Sequence, residues 1–170
     1  MEENPMRRIR IEKVTLNIGC AGDVQKIEKA KKLLEYLTGR KAVITKSKRR
    51  STFGIAKGKP VGVKVTLRKK EAVEFLKKAL EAVDKKLEAS KFDENGNFNF
   101  GIKEYIEIPG VKYSHEVGML GLDVDVTLER PGFRVKRRRR QKKKIPKAHA
   151  ISKDEAIEWV KKNFGVEVVE

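Results

Sequence analysis

The side chains with the most chemistry to offer are His115, His149 and the one cysteine, Cys20, and they stand far apart in the chain. A zinc site takes three or four ligands, and no grouping of His and Cys supplies them, so no metal is expected. The run G-I-A-K-G-K-P at 54–60 has the outline of a phosphate-cradling loop. Three residues rather than four separate Gly54 from Gly58, however, and Pro60 stands where a Ser or Thr hydroxyl would reach Mg²⁺. Asp123, Asp125 and Glu129 fall on one side of an alternating segment and read as a solvated acidic face before a cation site. With no paired acid and base and no cofactor loop, the expectation is a protein that is not an enzyme and needs no cofactor.

What remains is cationic chemistry. The chain carries 41 Lys plus Arg against 24 Asp plus Glu, a net charge of +17. Two windows without any acidic residue, 36–70 and 130–153, hold 12 basic residues each, and the rest of the chain is net acidic. Solubilising surfaces intersperse both signs; charge gathered in two segments instead marks a site for a polyanion. Nucleic acid fits that reading before a membrane surface or an acidic protein. The first window contains a loop, 46–60, with Lys46, Lys48, Arg49, Arg50, Lys57 and Lys59 around one aromatic residue, Phe53. Phe53 is either a platform on which a base stacks or a core anchor. The second contains F-R-V-K-R-R-R-R-Q-K-K-K-I-P-K, whose like charges repel and which lacks helical or strand periodicity, so residues 134–147 are expected to be mobile in the free protein.

The elements that must position these cations follow from hydrophobic periodicity. Ile9, Ile11, Val14, Leu16 and Ile18 alternate with one slip, which predicts a strand bulged near Glu12 and Lys13. Asp23 caps a helix through Val24, Ile27, Ala30, Leu34 and Leu37, ended by Gly39. A short strand over 42–46 leads into the basic loop. Beyond it Val61, Val63, Val65 and Leu67 alternate with Gly62, Lys64, Thr66 and Arg68, a strand with one apolar and one cationic face. The spacing of Ala72, Leu76, Ala79, Leu80, Val83 and Leu87 predicts a helix from Glu71 to about Ala89. Residues 90–118 read as turns and short strands. A strand over 122–129 stops at Pro131 and Gly132, and Ser152 with Glu155 forms a capping box for a last helix packed through Ala156, Trp159, Val160 and Phe164. Cys20 reads as a buried structural thiol, in a chain with no signal-peptide core and no membrane-length apolar run. A soluble, intracellular protein is therefore expected. The order strand, helix, strand, strand, helix, strand predicts an α+β fold of the split βαβ kind, a mainly antiparallel sheet with helices on one face. Residues 1–170 then make a single domain, and the open face carries Lys64, Thr66 and Arg68.

Several blocks in register carry a resemblance that covers nearly the whole chain. N-P-M-R at 4–7, I-E-K-V-T-L-N-I-G at 11–19, L-T-G-R-K at 37–41, F-G-I-A-K-G-K-P-V-G-V-K-V-T-L-R at 53–68, G-N-F-N-F-G-I at 96–102 and G-L-D-V-D-V-T-L-E-R-P-G at 121–132 resemble the large-subunit ribosomal protein L-five family, archaeal branch. The resemblance implies a cytoplasmic, ribosome-bound protein of the central protuberance that binds 5S rRNA and large-subunit rRNA. It implies that Asn17, Phe53 and Thr66 belong to the 5S rRNA contact, and that the 46–59 loop reaches peptidyl-site tRNA. Other ribosomal proteins are implied as partners, with the small-subunit head met through the region 111–119. Arg40, Lys64, Arg68 and the run Arg137, Arg138, Arg139 and Arg140 complete the set of expected rRNA-binding residues. Arg40 stands where many relatives have glutamine, and the turn 20–22 is shorter than usual. A free-standing RNA chaperone or assembly factor is the alternative use of the same cations.

Overall fold

The computed structural model describes residues 4–52 and 54–169; Phe53, the aromatic residue of the basic loop, lies outside the described residues. Five antiparallel strands form the central sheet in the order β2-β3-β1-β6-β5, with β1 Arg10–Gly19, β2 Val43–Lys46, β3 Pro60–Leu67, β5 Phe98–Ile102 and β6 Leu122–Glu129. Two further strands, β4 Lys86–Glu88 and β7 Glu167–Val169, pair in parallel. The helices are α1 Val24–Thr38, α2 Lys69–Glu81 and α3 Lys153–Phe164.

Alternation decides which side of the sheet is wet. Val14, Leu16 and Ile18 of β1 face the same way as Val63, Val65 and Leu67 of β3 and Val124 and Val126 of β6, and all are buried. Onto that side pack α1, chiefly against β3, and α2, chiefly against β1, through Ile27, Ala30, Leu34, Ala72, Leu76 and Leu80. Each large side chain buried there contributes roughly 1.5–3 kcal/mol against its exposed state, so the layer order is fixed by the apolar half of each pattern. Among the described residues neither α1 nor α2 packs on the opposite side, which displays the polar half.

Local signals act where the sequence places them. The Asp23 carboxylate accepts from the amides of Gln25 and Lys26, and Gly39 closes α1 in the left-handed conformation. Ser152 and Glu155 form the predicted capping box of α3. The β1–β6 register slips between Ile11 and Lys13, which puts the bulge at Glu12. Gly62 lets β1 and β3 approach closely: a Cβ there would sit 2.5 Å from the Ile18 carbonyl.

One helix differs from expectation. α2 ends at Glu81 rather than near Ala89, because Asp84 and Lys85 both take positive φ and turn the chain back, the Lys85 amide donating to the Leu80 carbonyl at 2.9 Å. Leu87 keeps the helical spacing, yet it is buried from β4.

Candidate nucleic-acid interface

The open face is a grid fixed by strand register. Asn17 on β1 stands beside Lys64 on β3 and Asp123 on β6; one step along, Thr15 stands beside Thr66 and Asp125. Lys64 and Thr66 are exposed, Asn17 half-buried. Asn17, Lys64 and Thr66, expected from sequence to act together, are thus neighbours on adjoining strands. Lys13 and Thr15 share the face and were missed, although the alternation that exposes Asn17 exposes them too.

Across the face the charge changes sign. The β3 side presents Lys64 and, at its end, Arg68. The β6 side presents Asp123 and Asp125, which line a shallow depression of about 390 Å³ with Asn17, Lys91, Asn99 and Gly101. Burial above all, then the like charge of Asp123, pushes the Asp125 carboxyl up from its ordinary value, and Lys13 partly opposes the shift. A polyanion would therefore lie towards β3 and β1, with hydroxyl and amide side chains under it and phosphate-seeking amines at its margin.

Glu129 departs from expectation. It belongs to β6 but is buried rather than part of a solvated acidic face. Its carboxylate accepts from Arg10 Nε at 2.9 Å and from Arg137 Nη2 at 2.5 Å. Arg137 also pairs with Glu12, which Arg68 Nη1 approaches at 3.6 Å. Three of the expected binding cations are thereby engaged by carboxylates. Arg68 and Arg137 meet Glu12, and Arg40, on the helix layer, forms a two-point pair with Glu71 (3.1 and 2.5 Å). That contact, first as a hydrogen bond and then as charge, raises the Arg40 guanidinium and lowers the Glu71 carboxyl.

The two basic segments flank the grid. The 46–60 loop is the extended connection of the β2–β3 hairpin, closed at its base by the Ser47 amide on the Lys59 carbonyl (2.9 Å) and near its tip by the Ser51 amide on the Ile55 carbonyl (2.9 Å). Lys46, Lys48, Arg49, Arg50, Lys57 and Lys59 are all exposed. The second segment starts at a buried Phe133 with the Lys136 ammonium 4.9 Å over its ring, and returns on itself where the Lys143 amide meets the Val135 carbonyl. Its backbone takes a 3₁₀ turn over Phe133–Lys136 and further turns beyond. Arg138 donates from Nε to the Gln141 carbonyl at 2.8 Å, while Arg139 and Arg140 are exposed. Among the described residues no group of His, Cys, Asp and Glu is placed to hold a metal ion, and no helix is long and apolar enough to cross a membrane.

A helix-backed antiparallel sheet whose other side is polar and part cationic, set between two basic segments, defines a small α+β protein built to meet a polyanion. Comparison with known proteins identifies the family. Residues 4–55 match the family model described as ribosomal protein L5, and residues 60–159 match that of the ribosomal L5P family C-terminus. The chain is similar to the large ribosomal subunit protein uL5 of Sulfurisphaera tokodaii, 55% identical over 98% of this chain and 96% of that one. It is also similar to that of Nanoarchaeum equitans (52%, covering 98% and 99%) and of Methanococcus vannielii (46%, covering 99% and 95%). The chain belongs to the ribosomal protein L5 family, and is accordingly a structural protein of the large ribosomal subunit rather than an enzyme.

Proposed function

We propose that this protein binds 5S rRNA and large-subunit rRNA in the central protuberance of the cytoplasmic ribosome, acting as one RNA-binding domain whose basic loop touches peptidyl-site tRNA. The observation that carries the reading is the row Lys64–Asn17 with Thr66–Thr15 on the face opposite α1 and α2, between two segments of exposed cations. Thr and Asn side chains can donate to and accept from ribose 2′-hydroxyls, and Lys and Arg neutralise phosphates without reading sequence. The sheet then supplies RNA-specific contacts and the segments supply affinity. Reconstitution of the purified protein with isolated 5S rRNA, followed by footprinting, tests it. Protection of one 5S region, weakened on replacing Asn17 and Thr66, is expected; absence of a complex at moderate salt would overturn the assignment.

A further inference from the structure

Glu12 and Glu129 are out of place on charge alone. Their side chains are only 7% and 9% exposed, at the end of the face proposed above to receive RNA, in a chain of net charge +17. Burying a carboxylate is costly unless it is paired, and a negative charge beside a polyanion site opposes binding. The strand bulge directs Glu12 to this place and the β1–β6 register sets Glu129 opposite Arg10. What the two acids share is Arg137, whose guanidinium spans them, one Nη on each carboxylate. Arg10 holds Glu129 from the other side through Nε and Nη2 (2.9 and 2.8 Å), and Arg68 lies 3.4 Å from the Glu12 carbonyl.

We propose that Glu12 and Glu129 are positioning residues for the RNA interface: they grip Arg137 and so seat the basic segment against the end of the open face. The inference rests on the RNA-binding reading of that face. Phe133 fixes one end of the segment in the core; Arg137 is the second fixed point, four residues on. From there the like charges of residues 138–144 would drive the chain outwards into many conformations. Together with the Lys143 amide on the Val135 carbonyl, the grip holds the turn that carries Arg139, Arg140 and Lys142, so less ordering is left for the moment RNA arrives. Arg137 in this account is an anchor whose charge is already matched, not a phosphate ligand like its neighbours.

Electrostatics and positioning predict opposite signs. In the variant Glu12→Gln/Glu129→Gln, removal of two negative charges alone would tighten binding to a 5S rRNA transcript. Positioning predicts roughly two- to ten-fold weaker binding, the scale of one or two side chains that must be ordered anew. The same pair of substitutions in an Arg137→Gln background should then cost nothing further, a non-additivity that general loss of stability would not produce. Without RNA, trypsin should cut after residues 138–144 several-fold faster in the double variant and in Arg137→Gln than in the wild type, with thermal midpoints checked for intact fold. Arg139→Gln, equal in charge to Arg137→Gln, should leave that rate unchanged at the remaining sites. Should the double variant fail to fold, the Arg137→Gln and Arg139→Gln comparison carries the test. Equal or tighter RNA binding by a folded double variant overturns the proposal, as does tryptic cutting that ignores Arg137. If the wild type binds no 5S rRNA, the reading of the face fails, and the tryptic comparison still decides whether the grip exists.

Discussion

At Asn17 and Thr66 the side chains that matter are small and uncharged, set one strand apart on a face where cations are easier to notice. An amide and a hydroxyl can answer a 2′-hydroxyl in both directions. Asn17→Ala or Thr66→Ala is therefore expected to weaken 5S rRNA binding by about 0.5–1.5 kcal/mol, the worth of one hydrogen bond; unchanged affinity in both, with the fold intact, would remove the sheet from the interface. A second residue-scale effect is structural. Arg130, only 3% exposed, donates to the carbonyls of Arg7 and Ala150 and to the Glu155 carboxylate. Burial would raise the Glu155 carboxyl, but the Ser152 amide and then Arg130 outweigh it, leaving the group below its ordinary value of 4.5. A carboxyl depressed in the folded state stabilises above its unfolded value, and that stability is lost as pH falls through the lower folded value. Thermal melts from neutral pH down through the carboxylate range should show a downward step that Glu155→Gln reduces. Lys64 and Thr66 were legible as face residues because a strand's period is two, whereas Asn17 was picked out by the family resemblance. The engagement of Glu129 by Arg137 was not, since alternation gives a side chain's face and says nothing of what folds over it.

At the scale of elements, periodicity succeeded wherever one apolar stripe met one partner. It placed β1 with its bulge, α1 between Asp23 and Gly39, β3 and β6, and it put α1 and α2 on one face of an antiparallel sheet. It failed at the end of α2, where Leu87 kept helical spacing while serving a different sheet, because burial demands an apolar side chain whatever the backbone does. In the basic loop the hairpin bonds at Ser47 and Ser51 shape the connection, and its six cations are exposed to solvent. Long exposed cations hold a polyanion weakly per residue and release it readily. Replacing Arg49, Arg50 and Lys57 with serine should leave folding and 5S rRNA binding intact and weaken tRNA retention on assembled ribosomes. Loss of 5S rRNA binding with tRNA retention unchanged would mean that the loop serves the other partner.

Over the whole molecule the charge is sorted rather than merely large. The acid-free windows become the hairpin loop with the adjoining β3 face and the segment after Phe133, while the acids are spread over the rest of the chain, on the helices, on β6 and in the turns between. Sorting of this kind sets where a polyanion comes to rest and makes association depend on salt, because each neutralised phosphate releases counterions. The contributions can be separated. Arg137 is already matched by Glu12 and Glu129, so removing its charge should change the salt slope little and act through placement of the segment. Arg139 and Arg140 are exposed, and Arg138 donates from Nε to the Gln141 carbonyl. Replacing Arg138, Arg139 and Arg140 with glutamine should flatten the dependence of log affinity for 5S rRNA on log salt by ~0.7–0.9 for each phosphate left without its cation. The region of 5S rRNA protected in footprints should not move, because cations on phosphates position the protein without reading sequence. A slope unchanged from wild type, measured across moderate salt with the fold verified, would show that the segment's charge meets something other than this RNA, and would leave the sheet face and the hairpin loop to supply the cations that do.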